Sequence, residues 1–475
     1  MTSPLATAAN PLRVAIIGSG PSAFYAADYL QKQLGLVVQV DMIDRLPTPY
    51  GLVRGGVAPD HPKIKTVTKV YERTAQAPGF RFFGNVEYGK DLSHEELTAH
   101  YHAIIFAVGS ASDRRMGIPG EDLAGSFPAT EFVGWYNGHP DYRDLKFDLS
   151  HERVAVVGNG NVAMDVTRIL ASSYEELVVT DIADYALEAL RESKVTDIYM
   201  LGRRGPAQAA FTNPELKEFG ELAEAECVVR AEDVELDSLS NQYILSGEDR
   251  NAERNLQTLM RYSIQGNLGK KKRIHMRFLV SPVRLIGTDA VEAVEIVHNE
   301  LYQADDGTLR PRATDRKEIQ PIELIFRSIG YKGLPVPGVP FDSKAAVIPN
   351  EHGRIIDPAN PQSVKGEYAV GWIKRGPTGI IGTNKPDAQE SVDQLLADLQ
   401  AGALLEPTNP AQEAINTLLE GKGVEYVTFA QWLKLDQIEQ ARGAALGRPR
   451  LKFSRISDML EALHQVKDSE NSFAD

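Results

Sequence analysis

Cysteine is nearly absent: Cys227 is the only one in 475 residues. Such a chain forms no internal disulfide, carries no CxxC redox pair and holds no iron–sulfur cluster on its own thiolates. Positive charge is in deficit too, with 51 Lys and Arg against 65 Asp and Glu and a net charge of −14. That balance disfavours non-specific binding to nucleic acid, and an acidic partner would need a local basic patch. No stretch of about 18 apolar residues occurs, and Met1 to Leu12 has neither a basic opening nor an apolar run, so the expectation is a soluble, cytoplasmic protein. The histidines show no metal-ligand spacing with one another or with Cys227. Hydrophobic residues make up 43% and charged residues 24%, an ordinary globular balance whose length suggests two to four domains.

What the chain does have is a repeated glycine turn. Arg13 to Ile17 is a short apolar run ending in Gly18-Ser-Gly20-Pro-Ser-Ala23, and Phe24 to Leu34 follows with helical spacing. Leu36 to Ile43 is a second β-rich run, closing on Asp44. The pattern returns at Val154 to Val157, Gly158-Asn159-Gly160-Asn161-Val162-Ala163 and a helix over 162–170. Its second strand, Asp197 to Leu201, ends instead in Gly202-Arg203-Arg204-Gly205. Ala103 to Gly109, Leu324 to Gly330 and Tyr368 to Trp372 read as further buried parallel strands, and Pro386 to Leu405 as a helix. Beyond Leu405 the chain reads as mostly helical, with Trp432, Leu435 and Ile438 on one stripe, and carries no assigned chemistry. If the last strand rejoins the first sheet, the second unit is inserted in the first, with crossings near residues 114 and 333.

A glycine triplet is by itself a weak signal, because tight strand-to-helix turns also occur without a ligand. Its context strengthens it. Gly18 makes the turn, Gly20 admits a pyrophosphate to the backbone, Ala23 lets helix and strand pack closely, and the helix N-terminus supplies positive potential. Asp44 then stands where an acid accepts ribose hydroxyls, although a strand-end acid is otherwise a solvated turn residue. In the second unit the pair Arg203 and Arg204 suits a 2′-phosphate, against the alternative of a solvated basic turn. The contrast assigns FAD to the first unit and NADP to the second. Asp165 lies one turn into the second cradle's helix, but it also stands three residues from Arg168, with which it can simply pair. His61, in the rigid turn Ala58-Pro-Asp-His-Pro62, is open between a structural and a redox role.

These stretches, with Leu46 to Arg54, Gly56 to Lys65, Phe82 to Val86, Gly371-Trp372 and Gly376 to Asn384, resemble adrenodoxin-reductase-type ferredoxin–NADP reductases, including bacterial members, along nearly the full length. The resemblance implies an α/β fold of two Rossmann-like dinucleotide-binding domains, the NADP domain (114–333) inserted in the FAD domain (1–113 and 334–475). It implies that Ala23, Asp44, Leu52, the segment around Val86 and Tyr88, Trp372 and Gly379, Ile380 and Ile381 contact FAD. It places Asn159, Gly160, Asn161, Val162, Arg203, Arg204, Glu215 and Gly379 against NADP, and Asp165 and His61 beside the flavin and nicotinamide. Asp44 stands where relatives often have Glu, and Tyr50 where some have Trp.

The implied activity is hydride transfer from NADPH to FAD, followed by single-electron transfer to an acidic, two-iron ferredoxin. A disulfide reductase would need two facing cysteines, and Cys227 is alone. A flavin monooxygenase, or a diaphorase with another acceptor, stays open, since two cofactor sites do not specify an acceptor. For docking, Arg250, Arg254 and Arg261 at near-helical spacing and the run Lys270 to Arg273 are candidates, with a solvated face as the alternative.

Overall fold

The computed structural model describes residues 4–360 and 364–472. The chain opens with strand β1 (Leu12–Ile17), buried along its whole length as a central parallel strand must be. Its one charge, Arg13, meets Asp41 at 2.6 Å, and Asp41 also accepts from Arg81 and from the Tyr101 hydroxyl. A buried carboxylate with these partners ties together three strand neighbours. Helix α1 (Pro21–Gln31) follows, with proline at its first turn and Ala23, Ala26 and Ala27 buried, so that small side chains let it lie close on the sheet. It stops at Gln31, short of the expected Leu34, because the chain turns through Gly35 at φ 79° and leaves Leu34 98% exposed.

Strands β2 (Val38–Ile43), β3 (Phe80–Phe83) and β4 (Ala103–Phe106) complete the first half of the sheet. The second sheet then forms from β5 (Ser126–Pro128), β6 (Arg153–Val157), β7 (Asp197–Leu201), β8 (Ala225–Val229), β9 (Lys272–Arg277) and β10 (Leu324–Arg327). Its order is β5-β10-β6-β7-β9-β8, parallel throughout. Helix α2 (Asn161–Ala171) lies between β6 and β7 in the chain, and α3 (Asn213–Glu221) packs against both α2 and α4 (Arg250–Ile264). Strand β11 (Glu367–Ala369) returns to pair with β4 in parallel, and a hairpin of 350–351 and 354–355 closes that edge. The first sheet therefore has seven strands, drawn from both ends of the sequence.

The fold is thus two Rossmann-like α/β domains, the second inserted between β4 and β11. Where the chain leaves and returns, Ser112–Asp113 and Tyr331–Lys332 pair antiparallel. Three antiparallel strands, Val280–Ile286, Ala293–Gln303 and Leu309–Pro321, form a separate layer on the second domain. The last of them, Leu309–Pro321, is largely exposed and carries no alternation of apolar and polar residues that marks a strand in the sequence.

Helix α5 (Asn384–Ala401) begins two residues before the expected proline and ends at Gly402, left-handed at φ 67°. The tail holds α6 (Phe429–Ala444), which buries Trp432 and Leu435, and α7 (Ile456–Ser472). No helix among the described residues is long and apolar enough to cross a membrane.

Candidate functional site

The two glycine turns share one geometry. Gly18 has φ 100° and a side chain there would meet Ala107 O at 2.6 Å; Gly158 has φ 132° and would meet Ser328 O at 2.2 Å. Only glycine fits beneath the neighbouring strand end. Gly20 and Gly160, by contrast, face open space with nothing within 4 Å of an added Cβ. Each caps its helix without a side-chain acceptor, so the first-turn N–H groups of α1 and α2 are free for an anion. Asn159 Nδ2 is buried without a partner beside the second turn, while Asn161 Oδ1 accepts Thr212 N. An uncapped helix end, an open glycine and an orphaned amide fit a dinucleotide pyrophosphate. Ala23 and Val162 pack into the cores beneath.

The strand ends differ as their sequences do. Asp44 Oδ2 accepts Ser19 N at 2.9 Å and Ser19 Oγ at 2.5 Å, and Oδ1 accepts Leu46 N at 2.9 Å. Burial pushes its pKa up, with the Ser19 hydroxyl opposing. Three of its about four acceptor positions thus serve the turn, which leaves one open on Oδ1. Arg203 is exposed and Arg204 half-buried, and neither has a carboxylate partner among the described residues. Burial, then the Arg203 charge, holds Arg204 below the usual guanidinium pKa.

Between the domains lies a cluster centred on Arg168, which sequence reading had named only as the bland partner of Asp165. That pairing exists, at 2.7 Å, and so does the approach of His61 Nδ1 to Asp165 at 3.9 Å. Arg168 also meets Asp60 at 2.5 Å, Glu215 at 3.1 Å and Glu218 at 3.2 Å, and His61 Nε2 lies 3.0 Å from Glu218. Burial raises the Asp165 pKa despite Arg168, and burial with the Asp165 charge pushes Glu215 to about 7. Burial is the strongest single influence on His61 and opposes its protonation, but the Glu218 hydrogen bond and the Asp60 and Asp165 charges together raise its pKa. His61, Glu215 and Glu218 have metal-like spacing, yet the Arg168 guanidinium already supplies the cation there. Tyr136 Oη is buried and unpartnered near Asp165 and Arg168.

Asp60, Glu218 and Tyr136 escaped the sequence reading. Asp60 adjoins His61, and Glu218 stands three residues beyond Glu215 on α3, so both were one step from residues already named.

The remaining expected residues gather at the first cradle's mouth. A side chain at Gly51 would touch Gly20 Cα at 2.9 Å, which starts Leu52, 42% exposed, beside that turn. A side chain at Gly371 would strike Ser22 Oγ at 2.5 Å, so Trp372 begins next to α1. The Trp372 ring lies 5.1 Å from that of Tyr331, on the crossing strand, and its Nε1 donates to Thr378 O. Gly379 has φ 81°, Ile380 is 70% exposed, and Ile381 begins a 3₁₀ turn leading into α5. Tyr88 lies further along, its hydroxyl donating to Pro337 O at 2.6 Å and its ring edge-on to Phe106.

Comparison with known proteins agrees with this geometry. Residues 12–201 match the pyridine nucleotide-disulphide oxidoreductase family. The NADPH-ferredoxin reductase FprA of Mycobacterium leprae is 44% identical over 457 residues, 95% of this chain and 98% of that protein. The mitochondrial NADPH:adrenodoxin oxidoreductase of Salvelinus fontinalis is 40% identical over 96% of this chain and 92% of its own length. A structure of Mycobacterium tuberculosis FprA in complex with NADPH superposes with a TM-score of 0.90 at 43% identity, covering 96% of this chain and all of that one. With two dinucleotide cradles, an arginine-ended second unit and relatives matched almost end to end, this chain belongs to the family of NADPH–ferredoxin and NADPH–adrenodoxin reductases.

Proposed function

We propose that this protein is an FAD-dependent NADPH:ferredoxin reductase. The observation that carries the reading is the contrast between two like βαβ units, one ending on Asp44 and the other on the unpaired Arg203 and Arg204. FAD, when bound, would supply a two-electron acceptor for the hydride of NADPH that can give the electrons up singly to an iron–sulfur centre. The protein's part is binding, orientation and field. Gly18, Gly20, Ala23 and Asp44 hold the adenosine and pyrophosphate half of FAD, and Leu52, Tyr88, Trp372, Ile380 and Ile381 border the rest. Asn159, Gly160, Asn161, Val162, Arg203, Arg204 and Glu215 hold NADP(H), with Gly379 against both. Asp165 and His61 lie beside the nicotinamide, tied respectively to Arg168 and Glu218, in a cluster whose carboxyls Asp60, Asp165, Glu215 and Glu218 outnumber the cations Arg168 and His61.

The domain boundaries fall near 113/114 and 333/334, beside the paired crossing strands. The partner is an acidic two-iron ferredoxin that docks on Arg250, Arg254 and Arg261 of α4, which have no carboxylate partners among the described residues. The run Lys270 to Arg273 takes no part. Lys270 and Lys272 donate to backbone carbonyls, Lys271 pairs with Glu224 and Arg273 with Asp197. The compartment is the cytoplasm.

The test is NADPH oxidation by the FAD-loaded protein with a panel of two-iron ferredoxins, other ferredoxins and dioxygen. Two-iron ferredoxins should be reduced fastest. Substrate hydroxylation without any ferredoxin would overturn the reading.

A further inference from the structure

Arg203 and Arg204 sit side by side with no carboxylate to neutralise them among the described residues, so the turn that bears them must be held by its backbone. Gly202 N donates to Arg277 O at 2.9 Å, and Val280 N to Gly202 O at 3.0 Å. The two arginine carbonyls are held from elsewhere. Arg204 O accepts Leu279 N at 3.1 Å, and Arg203 O accepts the side-chain Nδ2 of Asn299 at 2.9 Å. Because a carbonyl oxygen only accepts, the nitrogen of the amide, not its oxygen, must face Arg203.

Asn299 belongs to the antiparallel layer, not to the dinucleotide fold. It stands where the register of strands 293–303 and 309–321 shifts, between Val297 and Asn299, an irregularity of the kind that re-aims a side chain. It is 9% exposed, its Nδ2 also donates to Ser281 Oγ at 2.8 Å, and its backbone N donates to Leu279 O at 2.7 Å. Leu279 meanwhile adopts a left-handed φ of 53°, a strained choice for leucine that lets its N–H and its carbonyl serve Arg204 and Asn299 together. The layer also covers a face of the second sheet, where Leu285, Val294 and Ile296 pack with Ala155, Leu201 and Ile325.

We propose that Asn299 is a specificity-determining positioning residue, whose side-chain amide holds the Arg203–Arg204 turn in the shape that offers both guanidinium groups to the 2′-phosphate of NADP(H). This rests on the reading of the arginine pair as that phosphate's clamp. Two adjacent cations repel each other in the free enzyme, and a backbone fixed in advance removes the ordering cost that binding would otherwise carry. A coenzyme without the 2′-phosphate does not use the clamp, so the effect of Asn299 is confined to the phosphorylated one.

Calorimetric binding of 2′,5′-ADP and 5′-AMP to the FAD-loaded protein tests this. Asn299→Ala should weaken 2′,5′-ADP by about three- to tenfold, the range of one net hydrogen bond, and leave 5′-AMP unchanged. Asn299→Asp, of equal size and unable to donate when ionised, should weaken it at least as much, which covers failure of the alanine variant to fold. Ser281→Ala, which spares the bond to Arg203, should bind as wild type does. In turnover the KM for NADPH should rise in step, with kcat and the NADH constants unchanged. If wild type prefers 2′,5′-ADP but the Asn299 variants keep that preference, or lose both ligands equally, the positioning role is overturned. If wild type itself does not distinguish the two ligands, the clamp reading fails beneath it.

Discussion

At the scale of the residue, the proposed coenzyme choice rests on two side chains, Arg203 and Arg204. A charge-assisted hydrogen bond contributes roughly 1.5 to 3 kcal/mol, so each of Arg203 and Arg204 should favour NADPH over NADH by about tenfold or more. Arg203→Ala and Arg204→Ala should each raise the KM for NADPH and spare NADH, and a wild type favouring NADH would show that the second site is misread. Asp165→Asn should keep its FAD, because Arg168 retains Asp60, Glu215 and Glu218. Its flavin reduction by NADPH in stopped flow should nevertheless slow, and an unchanged rate would leave Asp165 as nothing more than an Arg168 partner. Glu215 gives a pH signature. Its pKa is raised from 4.5 to about 7, so the folded state holds the proton more tightly and the stability from it is full below 4.5 and lost as pH rises through 7. Melting scans of wild type and Glu215→Gln, without NADP(H), should show the variant gaining on wild type across that window. Parallel curves would mean that the group is not shifted.

At the scale of the element, α4 carries the clearest expectation. Its buried side is Ala252, Asn255, Leu256, Thr258 and Leu259, which leaves Arg250, Arg254 and Arg261 exposed together with Met260 and Ile264. Arginines without carboxylate partners among the described residues, around exposed apolar side chains, are a composition suited to an acidic partner, on a molecule whose net charge would otherwise repel it. Reversing Arg254 or Arg261 to Glu should cut ferredoxin reduction several-fold while leaving a small dye unaffected, and the wild-type ferredoxin rate should fall with salt. Equal losses for dye and ferredoxin would place the docking surface elsewhere. The sequence offered two basic stretches, and only contacts made across the fold, such as Lys272 Nζ to Leu170 O, separated the one tied to the rest of the fold from the one without carboxylate partners among the described residues.

Across the whole molecule, the carboxy-terminal tail fastens one domain to the other. Arg448, 5% exposed, donates to Thr180 O and Ile182 O and pairs with Asp184. Lys452 reaches Asn137 O and Asp181, which Lys65 also holds at 2.6 Å, and Arg455 pairs with Asp144. Burial drives the Lys452 pKa well below that of ordinary lysine, against the pull of Asp181. These contacts set how the second cradle faces the first, and a misplaced reactant is costly to rate. Arg448→Ala should retain FAD and be reduced by dithionite as wild type is, yet accept electrons from NADPH about tenfold more slowly. An unchanged NADPH rate would mean that the tail does not fix the domain angle.

The sequence by itself determined the two βαβ units, the different charges at their strand ends and the single cysteine, because glycine turns, strand-end residues and cysteine counts are local. Gly18 and Gly158 make their turns through their own φ angles, and Arg203 and Arg204 carry their charge whatever the rest of the chain does. The tertiary structure decided what depends on residues far apart in the chain. It gathered Asp60, His61, Asp165, Arg168, Glu215 and Glu218 into one cluster, bent Asp44 back onto Ser19, and gave the tail a role that its helical pattern does not announce. It also brought Asn299 under Arg203, 96 residues away, through a strand irregularity that no periodicity reveals. Spacing along a chain encodes backbone shape, whereas burial, and with it the pKa of a carboxyl or the freedom of an arginine, exists only once the domains have closed on each other.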